Sequence, residues 1–191
     1  MELVFATANQ NKAKEIQTLI PSFIKIKSLN DINCLEDIPE TQATIEGNAS
    51  QKAFYVFDKY KVNCFADDTG LEVEALNGRP GVLSARYAGE MKDANANMDK
   101  VLEELVGNEN RKARFKTVIS LVMNGKEHLF EGIVDGVILT HKLGSEGFGY
   151  DPIFVPNGYD KTFAELSIAE KNKISHRAIA TNKLVAYLNS L

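Results

Sequence analysis

The sequence has only two cysteines, Cys34 and Cys64, and neither lies in a CxxC spacing or has a histidine beside it. A zinc site built on cysteine spacing is therefore excluded, and the pair reads as reduced structural thiols. Lysine and arginine form no long run, and the formal net charge is -4. That balance gives no support to a broad basic surface, so no nucleic-acid partner is expected. No uninterrupted apolar stretch is long enough to cross a bilayer, so no membrane partner is expected either. The opening Met1-Glu2-Leu3-Val4-Phe5-Ala6 carries an acid and too short an apolar run for a secretory signal. A cytoplasmic protein is the expectation. Repeats, low-complexity tracts and linkers are also lacking, so residues 1–191 read as one domain. With 44% hydrophobic and 25% charged residues, the chain can bury a sizeable core.

Spacing gives the elements. Leu3-Val4-Phe5-Ala6 reads as a buried strand, and the pattern predicts a helix over 12–20, with Ile16, Leu19 and Ile20 on one face and Pro21 ending it. Ile24 and Ile26 alternate with Lys25 and Lys27 as a half-exposed strand, and a polar loop runs on through Glu40. Ala49, Ala53, Val56, Phe57 and Tyr60 recur at helical spacing. Cys64-Phe65-Ala66 reads as a strand ending at an acidic corner, Asp67-Asp68-Thr69-Gly70, before a second strand in which Leu71, Val73 and Ala75 alternate with glutamates. Asp93 can cap a helix bearing Ala94, Met98, Val101, Leu102 and Leu105. Two long runs, 115–123 and 128–139, meet across Asn124-Gly125, a dipeptide suited to a tight hairpin. Residues 144–152 are too glycine-rich for regular structure, and Ile153-Phe154-Val155 follows as a short strand. Ser167-Ile168-Ala169-Glu170 has capping-box form, and Ser175 starts a last helix with Leu184, Leu188 and Leu191 as a stripe. Early alternation of strand and helix, followed by a hairpin, implies an α/β fold with a mixed sheet flanked by helices.

Four clusters could carry chemistry. Thr7-Ala8-Asn9-Gln10-Asn11-Lys12 lies between a strand and a helix amino terminus, where unpaired N–H groups, the helix dipole and a lysine favour an anion. It lacks the glycines and Gly-Lys-Ser/Thr ending of a Walker loop, which disfavours an ordinary kinase or GTPase. Adjacent Asp67 and Asp68 cannot both be buried unpaired, and a divalent cation would remove the conflict, with Glu40 as a further oxygen ligand. Phe148-Gly149-Tyr150-Asp151 offers aromatic faces beside open backbone, and Asp151 can accept from a ring N–H. Lys171 and Ser175-His176-Arg177 add cations and donors at the last helix. Each has a plain structural alternative: a polar capping turn, a solvated acidic turn, core-anchoring aromatics, and a solvated helix terminus.

Taken together, the clusters resemble the inosine triphosphate pyrophosphatase family, whose members act on non-standard purine nucleotides. The resemblance runs almost end to end, through 7–12, 65–71, 80–87 (Pro80-Gly81-Val82-Leu83-Ser84-Ala85-Arg86-Tyr87), 147–152 and 174–177. It implies a two-lobed α/β fold on a long mixed sheet, a nucleotide in a central cleft and a homodimer. It implies Mg2+-dependent hydrolysis of ITP, dITP or XTP to the monophosphate and pyrophosphate. By the same resemblance, Thr7 to Lys12 grip the phosphates, and Glu40 with Asp67 or Asp68 holds magnesium. Asp68 prepares the attacking water, and Thr69 contacts substrate. Phe148 to Asp151, Lys171, His176 and Arg177 line the base and sugar end. One stretch departs from the common pattern, with Gln42 where glycine is frequent and Gly47 where an acid is frequent. Rival readings are a pyrophosphatase for other modified nucleotides and a nucleotide-binding module without catalysis. The crowded aspartates argue against the second.

Overall fold

A computed structural model describes residues 1–191. Six strands form one sheet: β1 (Glu2–Phe5), β2 (Lys25–Lys27), β3 (Cys64–Val73), β4 (Lys112–Met123), β5 (Lys126–Ile138) and β6 (Phe154–Pro156). Their order is β2-β1-β3-β4-β5-β6. β1 runs parallel to β2 and to β3, while β6 pairs antiparallel with β5. The sheet is therefore mixed. Five α-helices flank it: α1 (Gln10–Leu19), α2 (Ile45–Tyr60), α3 (Ala94–Glu104), α4 (Ile168–Ile174) and α5 (His176–Asn189).

Local chemistry accounts for the boundaries. Asn9 caps α1 by accepting from the N–H groups of Asn11 and Lys12, so the helix starts two residues ahead of the periodic stretch. Thr44 caps α2 through Gly47 N–H, and Asp93 caps α3 through Ala96 N–H. Asn124 and Gly125 both take positive φ, 52° and 78°, which closes the hairpin between β4 and β5. Ser167 and Glu170 make both bonds of the capping box ahead of α4.

Three expectations need correction. The acidic segment is not a corner: Asp67 and Asp68 lie inside one uninterrupted strand, β3. The strand ends at Val73, and Ala75 falls in a 3-10 turn, Glu74–Leu76. Leu191 is exposed and lies beyond the end of α5, so the stripe of the last helix is carried by Ala180, Leu184 and Leu188.

The chain forms two compact units. The first comprises residues 1–68, 117–132 and 177–191. Here the two-residue period of the strands sorts side chains onto opposite faces. Leu3, Phe5, Phe65, Ile119 and Leu121 pack with Ile16 of α1 and with Ala180, Leu184 and Leu188 of α5. Val4, Ala6, Cys64, Ala66 and Val122 pack with Ala53 and Val56 of α2. Cys34 and Cys64 are buried free thiols. The second unit, 69–116 and 133–176, has one core, in which Leu71, Val73, Phe115 and Phe154 meet Met98 and Val101 of α3 and Leu105, which follows it.

Gln42 and Gly47, the two departures noted above, are physically linked. A Cβ at Gly47 would lie 2.8 Å from Gln42 Cβ and 3.0 Å from Thr44 Oγ1. A side chain at 42 thus requires its absence at 47. Alanine normally outranks glycine in a helix by about 1 kcal/mol, but here the clash reverses the sign. Gly47→Ala is expected to destabilise by about 1–3 kcal/mol, the usual cost of overpacking. In a Gln42→Gly background the loss should shrink or become a gain. Urea unfolding of the four proteins checks this, and a stabilised Gly47→Ala single variant would contradict it.

Candidate active site

In the first unit the chemistry is laid out by the alternation of β3. Asp67 follows Phe65 onto the face covered by α1 and α5, and Asp68 follows Ala66 onto the face covered by α2. Each aspartate therefore meets different cations. Asp67 receives Lys12 Nζ at 3.1 Å and Arg177 Nε at 3.2 Å. Arg177 is 1% exposed, and its Nη1 also reaches Glu15 Oε2 at 2.5 Å. Lys12 and Glu15, three residues apart, share one face of α1. Asp68 Oδ1 faces Lys52 Nζ at 3.7 Å, and its Oδ2 accepts from Asn48 Nδ2 at 3.3 Å. Lys52 Nζ also meets Glu40 Oε1 at 2.5 Å.

The two aspartates consequently differ in proton affinity. Burial pushes Asp67 upward, but Lys12 and Arg177 outweigh it and hold the group well below the usual carboxylate range. For Asp68 burial prevails over Lys52 and Lys12, with Glu40 and Asp67 adding to the upward shift. Burial lowers Lys12, against the pull of Asp67. Lys52 is raised, because Asp68 and Glu40 together outweigh its burial. A weakly basic and a more basic carboxylate thus stand next to each other in sequence, back to back across the sheet. With all groups ionised, four carboxylates (Glu15, Glu40, Asp67, Asp68) face three cations (Lys12, Lys52, Arg177).

The phosphate-binding candidates lie at the end of β1. Thr7 is half-buried, and Ala8, Asn9, Gln10 and Asn11 are exposed. Thr7 Oγ1 accepts from Asn9 N–H at 3.1 Å, and Asn9 Oδ1 takes the N–H groups of Asn11 and Lys12. Part of the donor set that the sequence presents as unpaired is therefore satisfied within the turn.

The other candidates gather in the second unit. Asp151, buried, accepts from Lys171 Nζ at 2.6 Å and from Phe148 N–H at 2.8 Å. Lys171 Nζ stands 5.0 Å from the ring centre of half-buried Phe148. Tyr150 is core-anchored: its hydroxyl donates to Ser84 O at 2.9 Å. Gly149 takes φ +64°, the left-handed region open to glycine. His176 is buried with its ring stacked on Phe115, centroids 4.5 Å apart. Thr69, half-buried, is the first residue of this unit.

Of the candidate metal ligands, Asp68 and Glu40 meet at Lys52, while Asp67 contacts Lys12 and Arg177. Arg177 directs its guanidinium to Asp67 and Glu15. Lys52, Asn48 and Glu15 went unnoticed in the sequence. The four-residue spacing of Asn48 and Lys52 on a helix whose apolar stripe is Ala49, Ala53 and Val56 was the available signal.

The sequence pattern of the Ham1 family matches residues 3–187. The chain belongs to the Ham1 family. It is 60% identical to a dITP/XTP pyrophosphatase of Flavobacterium psychrophilum over 190 residues, covering 100% of both chains. Among solved structures, the Ham1 protein of Staphylococcus aureus is 41% identical with a TM-score of 0.91, covering 100% of this chain and 99% of its own. A HAM1 protein from Coxiella burnetii is 37% identical with a TM-score of 0.93, covering 100% of both. In this Ham1 chain, Lys12, Glu40, Lys52, Asp67, Asp68 and Arg177 fall within the matched region.

Proposed function

We propose that the chain hydrolyses non-standard purine nucleoside triphosphates, ITP, dITP and XTP, to the monophosphate and pyrophosphate. It does so as a magnesium-dependent cytoplasmic homodimer, with residues 1–191 acting as one two-lobed domain. The names of curated relatives support the activity. The observation that carries the chemistry is the adjacent pair in β3: Asp67 bonded to Lys12 and Arg177, and Asp68 set beside Lys52 and Glu40.

The donor set fits magnesium. Asp68 and Glu40 both reach one ammonium, that of Lys52, so their oxygens already converge on a cation. The group carries one more carboxylate than cations, a surplus that a divalent ion would reverse in favour of a polyanion. Two protein carboxylates without a full cage suit an ion that keeps waters and shares substrate phosphates. Asp68 and Glu40 would hold it, and it would supply neutralisation of phosphoryl oxygens.

The chain's own groups do the rest. The exposed turn from Ala8 to Asn11, at the positive end of α1, receives the phosphates, with Thr7 beneath it. Lys12, kept in place by Asp67, stabilises charge developing on the phosphoryl oxygens. Asp68 takes a proton from the attacking water. The water oxygen bonds to the α-phosphorus, the bridge to the β-phosphate breaks, and pyrophosphate leaves. Phe148 offers a stacking face for the base, and Thr69 contacts the substrate. Lys171 and His176 supply donors for a 6-keto oxygen, which a 6-amino group cannot satisfy. Arg177 acts through Asp67 as a positioning residue.

A nucleotide panel tests this. With magnesium, ITP, dITP and XTP should release pyrophosphate as first product. An unsatisfied buried polar group costs about 1–3 kcal/mol, so kcat/KM should exceed that for ATP by about one to two orders of magnitude. Chelation of the metal should abolish turnover, and added Mg2+ should restore it. Orthophosphate as the first product would sink the proposal.

A further inference from the structure

We propose that Asn48 is a positioning residue that fixes the orientation of the Asp68 carboxylate and ties it to the loop bearing Glu40. The proposal rests on the functional reading above. Asn48 lies in the first turn of α2 and is 4% exposed. Both ends of its amide are engaged. Oδ1 accepts from Gln42 N–H at 2.9 Å, and Nδ2 donates to Asp68 Oδ2 at 3.3 Å. A backbone N–H can only donate and an ionised carboxylate can only accept, so a single orientation of the amide satisfies both. The bond to Gln42 therefore dictates that Asn48 presents a donor to Asp68.

The neighbouring residues of α2 show that the bond belongs to a larger arrangement. One turn on, Lys52 meets Asp68 Oδ1 and Glu40. Gln51 exchanges two hydrogen bonds with Thr41, both at 2.9 Å, next to Glu40. Farther along, Tyr55, Lys59 and Tyr60 all donate to Glu36 Oε1. The loop from 36 to 42 is thus bound along the polar side of α2. Both candidate metal ligands are referred to one helix, and Asn48, like Lys52, reaches the strand and the loop at once. No leucine, alanine or serine can supply an acceptor and a donor at that span. Groups that orient metal ligands are worth roughly 10- to 100-fold in affinity or activity when removed.

The test is Mn2+ binding to nucleotide-free protein, read by calorimetry, for wild type, Asn48→Ala, the similar-sized Asn48→Leu, and Asp68→Asn. Melting temperatures and steady-state kinetics at saturating Mg2+ accompany it. In a folded Asn48 variant, Mn2+ affinity and kcat should each fall by about tenfold or more. KM should stay within about twofold, because the phosphate-binding turn is untouched. A folded variant with wild-type Mn2+ affinity would overturn the proposal, whatever its melting temperature, since Asn48 would then only support the fold. Should Asp68→Asn itself bind Mn2+ and turn over like wild type, the site reading fails instead, and the two failures are distinguishable.

Discussion

Asp68→Asn is expected to lower kcat at least a hundredfold on ITP, dITP and XTP while the protein stays folded. An amide cannot take the proton of the attacking water, and loss of a positioned general base costs roughly 100- to 10,000-fold. The fold should tolerate the change. Lys52 retains Glu40 at 2.5 Å, so no buried cation is left alone. Asparagine at 68 can also accept from Asn48, whose donor would otherwise lose its partner. The same substitution takes away a carboxylate that burial pushes toward the neutral form, so stability has little to lose. Steady-state kinetics beside a thermal melt checks both halves. More than about a tenth of wild-type turnover would contradict the role, because even the weak end of the general-base range is larger.

Arg177→Ala is expected to produce the largest loss of stability, about 3–5 kcal/mol, the usual result of breaking a buried ion pair by deleting one partner. Arg177 neutralises Asp67 and Glu15 together in a setting almost closed to water. Asp67 retains Lys12 after truncation, while Glu15 loses a guanidinium contact at 2.5 Å. Glu15→Gln combined with Arg177→Ala should therefore lose less than the sum of the single variants. Urea unfolding of the cycle measures this. The accompanying kinetics separate two roles for the arginine. As a positioning residue for Asp67, its loss should lower turnover of ITP and ATP alike and leave their ratio unchanged. A stable variant whose preference for ITP collapses would instead make Arg177 a reader of the base.

The elements were legible where local chemistry decides them. Asp93 and Ser167 lie where helices begin, and Asn124-Gly125 lies where the hairpin turns. The segment Asp67-Asp68 was misread as a corner because two adjacent acids look incompatible with a buried strand. The strand persists because buried cations compensate both acids, with Lys12 and Arg177 in contact with Asp67 and Lys52 facing Asp68. Those partners are far away in sequence, and no local pattern reveals them. The resemblance sets Arg177 beside His176 at the base and sugar end. The two side chains part ways at the start of α5, where the imidazole stacks on Phe115 and the guanidinium pairs with Asp67. Lys52 and Asn48 escaped attention because a lysine and an asparagine on an amphipathic helix ordinarily belong to its solvated face.

Hydrolysis of dITP in 18O-labelled water, followed by mass analysis of both products, tests the central claim most directly. Attack at the α-phosphorus, with Asp68 as proton acceptor, places the label in the nucleoside monophosphate and leaves the pyrophosphate unlabelled. Label in pyrophosphate or in released orthophosphate would contradict it.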